Sequence, residues 1–160
     1  SAKEIAALLN SPADLKGAIE QLLQKVSTLN NQLEGYKKEA ASGLKKELLS
    51  QIANINGINF LASKLTVDDA GMIKDLAFQL KGEVENLFLV FAAEIDGKAS
   101  VHVMIADNLV KEKSLHAGNI VRDLAKLVDG GGGGQPFYAS AGGKNPKGIP
   151  DLLVKAKEYI

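Results

Sequence analysis

Apolar residues at Leu15, Ile19, Leu22, Val26, Leu29, Leu33, Tyr36 and Ala40 follow one another at alternating steps of four and three. That spacing is a heptad seam and predicts one long helix. Ile19, Val26, Leu33 and Ala40 take position a, and Leu15, Leu22, Leu29 and Tyr36 take position d. β-branched residues at a with leucine at d favour a parallel two-stranded coil. The same stripe packed within its own chain, as a helical hairpin or stalk, is the alternative. A shorter stripe of Ile5, Leu8 and Leu9 precedes it. Between them, Ser11-Pro12-Ala13-Asp14 offers an N-cap, a proline at the first helical position and an acid three residues after the cap. The seam then slips: Gly43 and Glu47 fill the next expected places, while Leu44, Leu48 and Ile52 continue one residue out of phase. Helix is expected throughout residues 1–53.

From residue 54 the period changes. "NING" (54–57) is a breaker, and "INFLASKL" (58–65) has the β-branched and aromatic character of a strand. Thr66-Val67-Asp68-Asp69 is a second capping pattern, and Ile73, Leu76, Ala77 and Leu80 carry helical spacing to about Gly82. "LFLVFAAEI" (87–95) is a continuous apolar run, the mark of a strand buried on both faces. Asp96-Gly97 signals a tight turn into the alternating "ASVHVMIA" (99–106). Ala117, Ile120, Val121, Leu124 and Leu127 make an amphipathic helix ending at Asp129, and Gly148-Ile149-Pro150 opens a last helix to Ile160. The order predicts an α/β or α+β fold, a small mixed sheet covered by helices, preceded by an all-helical coiled-coil-like segment. The expected division is a helical segment at 1–53 and a globular domain at 57–160.

Between those last two helices lies "DGGGGGQPFYASAGGKNP" (129–146), with a short strand-like "PFYASA" inside it. Five consecutive glycines cost more chain entropy to fix than any other five residues. Too little chain follows Gly134 to fold alone, so the run reads as a loop within one domain rather than a linker. A phosphate cradle of the P-loop kind needs a strand before the glycines and Gly-Lys-Ser/Thr opening a helix after them. Here the helix comes first, its negative end faces the glycines, and Gly143-Lys144 is followed by asparagine. Beside an ordinary solvated surface loop, a third reading is close backbone approach, in which glycines let a sugar-phosphate chain come near exposed N–H groups and Phe137 or Tyr138 offers a stacking face.

Composition narrows the chemistry. The 160 residues contain no cysteine, which excludes disulfides and thiolate metal sites. Two histidines, His102 and His116, are the only soft ligands: the first is expected on a strand face, the second as a surface or capping residue. No Ser/His/Asp set is suggested by order or spacing, and Asp68-Asp69 has a sufficient role as a helix cap. Nineteen basic and nineteen acidic side chains leave net charge at zero, so no global field attracts nucleic acid. Locally, residues 111–147 hold six basic groups (Lys111, Lys113, Arg122, Lys126, Lys144, Lys147) against three acids (Glu112, Asp123, Asp129). Arg122 is the only arginine. No run approaches membrane-spanning length, a cytosolic setting is the simplest expectation, and Ser1 in place of a start methionine suggests an excised fragment.

The stretch "LHAGNIVRDLAKLVDGGGGGQPFYASAGG" closely resembles the terminal signature of alanyl-tRNA synthetases: an Ala-Gly-led helix, a glycine-rich stretch, a proline, then an alanine-flanked residue and a glycine pair. This C-terminal domain family also occurs behind DHH phosphoesterase domains. The resemblance runs back through "NINGINFLASKL", the Asp-Gly-Lys hairpin and the coiled-coil-like helices, and so covers essentially the whole chain. It implies a non-catalytic tRNA-binding appendage that grips the outer corner of tRNA(Ala), where D and T loops meet, helping aminoacylation and editing domains act on one tRNA. Matching positions are Ala117, Gly118, Gly131, Gly132, Gly133, Gly134, Pro136, Ala139, Ala141, Gly142 and Gly143. Tyr138 is a candidate for stacking, and Lys113, Arg122, Lys144 and Lys147 are expected phosphate contacts from charge and proximity in sequence. "SAGG" departs from relatives that carry glutamine or a third glycine there, so no specific contact is assigned to Ser140. ATP and zinc are implied only for other domains of a parent synthetase, and no cofactor or metal is expected in this segment. The alternatives are a homodimerisation module working through the helical segment, or the nucleic-acid-binding C-terminal domain of a DHH-type phosphoesterase.

Overall fold

The computed structural model describes residues 1–10 and 13–160. Two compact units divide it, Ser1–Leu44 and Lys45–Ile160. In the first, α1 (Ala2–Leu8) is followed by most of the long α2 (Leu15–Ser50). The cap and proline expected at Ser11 and Pro12 lie outside the described residues. The capping bond seen is made by Asp14, whose Oδ1 accepts from the Gly17 N–H at 2.9 Å and so satisfies one orphan donor of the first turn. The seam side chains Ile19, Leu22, Val26, Leu29, Leu33 and Tyr36 are 39–69% exposed. Where the seam slips, the burial changes: Leu48 is 1% exposed. The slip therefore falls at the division between the units, and the last six helical residues, 45–50, belong to the second. α2 ends at Ser50, three residues short of the expected helical limit, because Ala53 already lies in a strand.

The second unit is a six-stranded sheet in the order β1-β2-β3-β4-β6-β5. β1 (Ala53–Ile55) and β2 (Ile58–Leu65) form a hairpin that the sequence did not lead us to expect; "NING" supplies the end of β1 and the turn Asn56-Gly57, not a breaker. Asn56 and Gly57 both have positive φ (53° and 82°), the two-residue geometry that asparagine-glycine favours. Asp96-Gly97 repeats it (52° and 73°) between β3 (Leu87–Ile95) and β4 (Lys98–Ile105). β2 and β3 are parallel, linked by α3 (Ala70–Glu83), whose N-cap Asp69 accepts from Gly71 N–H at 2.8 Å. α4 (Asp107–Glu112) was also not expected. α5 (Ala117–Ala125) runs on into a 3-10 turn, Lys126–Val128, and α6 (Ile149–Ala156) into another, Lys157–Tyr159.

β3 is buried along its first seven residues, as its unbroken apolar run requires, since helices cover both of its faces. On one face Phe88, Val90 and Ala92 join Val101, Val103 and Ile105 of β4 and the buried sides of α5 and α6. On the other, Leu87, Leu89 and Phe91 lie with Met104 and His102, the face covered by α3 through Ile73, Leu76, Ala77 and Leu80. Each fully buried side chain of this size stabilises the fold by about 1.5–3 kcal/mol.

The glycine run is not a loop. Gly130–Gly134 form β5, an edge strand antiparallel to β6 (Tyr138–Gly143), with Gly132 opposite Ala141 and Gly134 opposite Ala139. Intrinsic propensity is against it. What overrides propensity is space: at Gly130, Gly132 and Gly134 only a backbone without side chains fits so close to its neighbour.

Candidate nucleic-acid interface

α5 delivers the chain to β5 through Asp129, in the left-handed conformation (φ 53°, ψ 51°). Lys144 N–H then donates to the Asp129 carbonyl at 3.4 Å, and Gln135 N–H to the Tyr138 carbonyl at 2.8 Å. In an antiparallel ladder, bonded and non-bonded pairs alternate. With 129 and 135 bonded inward, Gly131 and Gly133 also bond to β6, while the N–H and C=O of Gly130, Gly132 and Gly134 turn away from β6. A Cβ at Gly130 would lie 1.9 Å from the Gly142 carbonyl oxygen, at Gly132 2.2 Å from that of Ser140, and at Gly134 2.7 Å from Ala139 Cα. These three glycines are required by the fold itself. Gly118 is required too, since a Cβ there would lie 2.8 Å from the Gly134 carbonyl oxygen, bringing the start of α5 onto the strand.

Gly131 and Gly133 are different. A Cβ at Gly131 meets nothing within 4 Å, and one at Gly133 meets only the Arg122 guanidinium, at 3.4 Å. Packing does not explain glycine at these two positions. Together with the outward groups of Gly130 and Gly132, they leave a bare strip of backbone at the sheet edge, the kind of surface another backbone approaches.

Of the expected basic residues, Arg122 is exposed beside Gly133, held by Asn119 Oδ1 at 3.5 Å. Lys144 leaves β6 opposite Asp129, and Lys147 sits in the 3-10 turn Pro146–Gly148. These two therefore stand at the Gly130 end of the strip. Pro136 lies at the other end, its carbonyl accepting from Ala117 N–H at 2.8 Å. Lys113 is exposed in the α4–α5 connection, four residues before that bond. Gly142 is exposed on β6, whereas Gly143 is buried, and a Cβ on it would lie 2.3 Å from the Val128 carbonyl oxygen.

Tyr138 is half-buried, and its hydroxyl is 2.7 Å from His102 Nδ1, whose Nε2 is in turn 2.9 Å from Ser100 Oγ. His102 is 4% exposed, and burial, assisted by the Lys74 charge, lowers its pKa to about 4. The ring is thus neutral at pH 7 and fixes the tyrosine. Desolvation raises the Tyr138 pKa above its ordinary value. His116 caps α5, its Nδ1 accepting from Asn119 N–H at 3.2 Å. Sequence reasoning did not find Phe78, exposed on α3 with its ring 5.3 Å from that of Tyr138. The available signal was an aromatic residue standing off the apolar stripe of its helix. Among the described residues, no three His, Cys, Asp or Glu side chains gather as a metal-binding group, and no helix is long and apolar enough to cross a membrane.

The model of the DHHA1 domain matches residues 57–160. Over 99% of its length the chain is 48% identical to the alanine–tRNA ligase of Christiangramia forsetii, and over 98% it is 40% identical to that of Cytophaga hutchinsonii. It spans about 18% of the length of each of these curated relatives. Among solved structures, the C-Ala domain of Aquifex aeolicus alanyl-tRNA synthetase superposes with a TM-score of 0.62 at 20% identity, covering 68% of this chain and 96% of that one. That likeness shows the fold: a mixed sheet with helices on both faces. Through residues 57–160, with the glycine strand and its partner β6 inside the match, the chain belongs to the DHHA1 domain family.

Proposed function

We propose that this chain is the non-catalytic, tRNA-binding C-terminal part of an alanine–tRNA ligase. It recognises tRNA(Ala) by shape at the corner where D and T loops meet and helps the aminoacylation and editing domains share one tRNA. The observation that carries the reading is the bare backbone strip of β5, with glycine at 131 and 133 where the fold leaves room for a side chain. Arg122, Lys144 and Lys147 flank it. Backbone N–H groups and point charges suit phosphates and sugars without reading base sequence. The match to alanine–tRNA ligases over nearly the whole chain supports the choice of RNA.

Fluorescence anisotropy with labelled tRNA(Ala) across a salt series tests this, against a minihelix of acceptor and T arms that lacks the corner. Saturable binding to the full tRNA, weakened by salt and lost with the minihelix, is expected. Equal binding to both would remove the corner from the proposal, and no binding to either would remove tRNA.

The exposed seam of α2 favours a second, compatible role. Ile19, Leu22, Val26, Leu29 and Leu33 suit a second copy of the chain in a two-stranded coil. Sedimentation equilibrium of the whole chain should then show a concentration-dependent dimer that Leu29→Lys abolishes. A monomer at every concentration would exclude it.

A further inference from the structure

We infer that the face of the sheet opposite α5 carries a stacking shelf for one unpaired nucleobase, built from Phe78 and Tyr138 with the Lys74 ammonium beside them. The inference rests on the tRNA-binding reading and names where a base, rather than the backbone, is held.

Phe78 is 41% exposed although Ile73, Leu76, Ala77 and Leu80 around it are buried. Its ring meets that of Tyr138 at 5.3 Å and 47°, and Phe78 is the more exposed of the two. Tyr138 cannot swing away, because the buried His102 holds its hydroxyl. Lys74, one turn before Phe78, is exposed, lies 5.6 Å from the Tyr138 ring centroid and enters no ion pair among the described residues. The nearby Lys81 is already engaged, over the Phe137 ring at 4.4 Å and to Asp107 at 3.0 Å. The exposed carboxylate on the same helix, Asp75, is turned about 100° away from Lys74. Beyond the rings, β6 offers Ser140 and Gly142, both exposed and both on this face by their register with His102 and Ser100.

A flat aromatic wall, a floor of serine and glycine, and one cation without an ion pair among the described residues match a ligand with a π face and an attached phosphate. Base stacking on aromatic side chains is the usual way a protein holds an unstacked RNA base. A protein partner fits less well: stable interfaces need several hundred square ångströms per partner with an apolar centre, and here a single phenylalanine stands among polar and small residues.

The chain contains no tryptophan, so Phe78→Trp places a single indole reporter on the shelf while preserving a stacking ring. On saturation with tRNA(Ala), its emission should be strongly quenched at unchanged affinity. Phe78→Leu keeps an apolar side chain and should weaken tRNA binding on the order of tenfold, with an unaltered melting curve as the folding control. Lys74→Gln should reduce the slope of log affinity against log salt by about one. Wild-type affinity in Phe78→Leu together with an unquenched indole in the saturated complex would overturn the shelf while leaving tRNA binding intact. Failure of the unaltered chain to bind tRNA would overturn both. Loss of self-association rather than of RNA affinity in Phe78→Leu would assign the face to a second copy and also overturn the proposal.

Discussion

A methyl group added to the glycine strand should have opposite effects at adjacent positions. In Gly132→Ala the new Cβ lies 2.2 Å from the Ser140 carbonyl oxygen, 2.5 Å from Ala141 Cα and 2.6 Å from Ala141 Cβ. Relief requires β5 to move from β6 by about 1 Å, which lengthens ladder bonds worth about 1 kcal/mol each. Overpacking of this kind costs about 1–3 kcal/mol. In Gly131→Ala the Cβ meets nothing within 4 Å, and Gly131 has no positive φ. Its main effect is to restrict the unfolded chain, which stabilises by about 0.4–1 kcal/mol. The two variants should therefore differ by about 1.5–4 kcal/mol. For a chain of this size 1 kcal/mol moves Tm by about 2–4 °C, so thermal melts followed by circular dichroism resolve the pair. Urea titrations and amide exchange at Ala139–Gly143 would locate the damage in the β5–β6 ladder. Equal melting of the two variants, or a larger loss in Gly131→Ala, would refute the assignment of Gly132 to packing. The tRNA assay adds the complementary readout, because Gly131→Ala should lose affinity without losing stability if an RNA backbone meets that strip.

Three further outcomes follow from the same geometry. His102 has a folded pKa lowered to about 4 from an ordinary 6.5, so the unfolded chain binds the extra proton first. Stability present above pH 6.5 is then lost as pH falls toward 4, by about 2 kcal/mol between pH 7 and 5. His102→Gln should flatten that part of the urea-midpoint profile. The Asp123 carboxylate is held below its ordinary pKa, first by the Tyr159 hydroxyl and then by Lys155 at 3.2 Å. Its contribution is present above the carboxylate's unfolded pKa and lost as pH falls through the lowered one. Tyr159→Phe should cost about 1 kcal/mol, read from urea midpoints at pH 7, and should reduce the stability lost on acidification, because the folded pKa of Asp123 moves back toward the unfolded one. Arg122→Gln, beside Gly133 and without an ion-pair partner among the described residues, should weaken tRNA binding and reduce the salt slope by about one, while Lys157→Gln, on the C-terminal 3-10 turn, should not.

The sequence alone determined the elements whose signal is local. The seven-residue spacing of α2, the apolar run of β3, the Asp-Gly turn and the Asp69 cap each rest on residues within one or two turns of each other, and each stands where the pattern placed it. The Asn56-Gly57 hairpin carried an equally local signal. Its first strand escapes detection because β1 has only three residues, too few for an alternating pattern to register. The slip of the seam at Gly43 was legible as well, though only the burial of Leu48 shows what it accomplishes.

Tertiary structure decided the glycines. Five identical residues have no period and no side chains, so nothing in the run distinguishes a loop from a strand. The distinction lies in what surrounds them: β6, 1.9–2.7 Å from where the Cβ atoms of Gly130, Gly132 and Gly134 would stand, and Arg122 beside Gly133. The same holds for the link from Ser100 through His102 to Tyr138, and for Phe78 beside it. These residues are distant in sequence and are joined only by strand register and by the packing of α3. Periodicity reports which face of an element is buried; it carries no information about which element buries it.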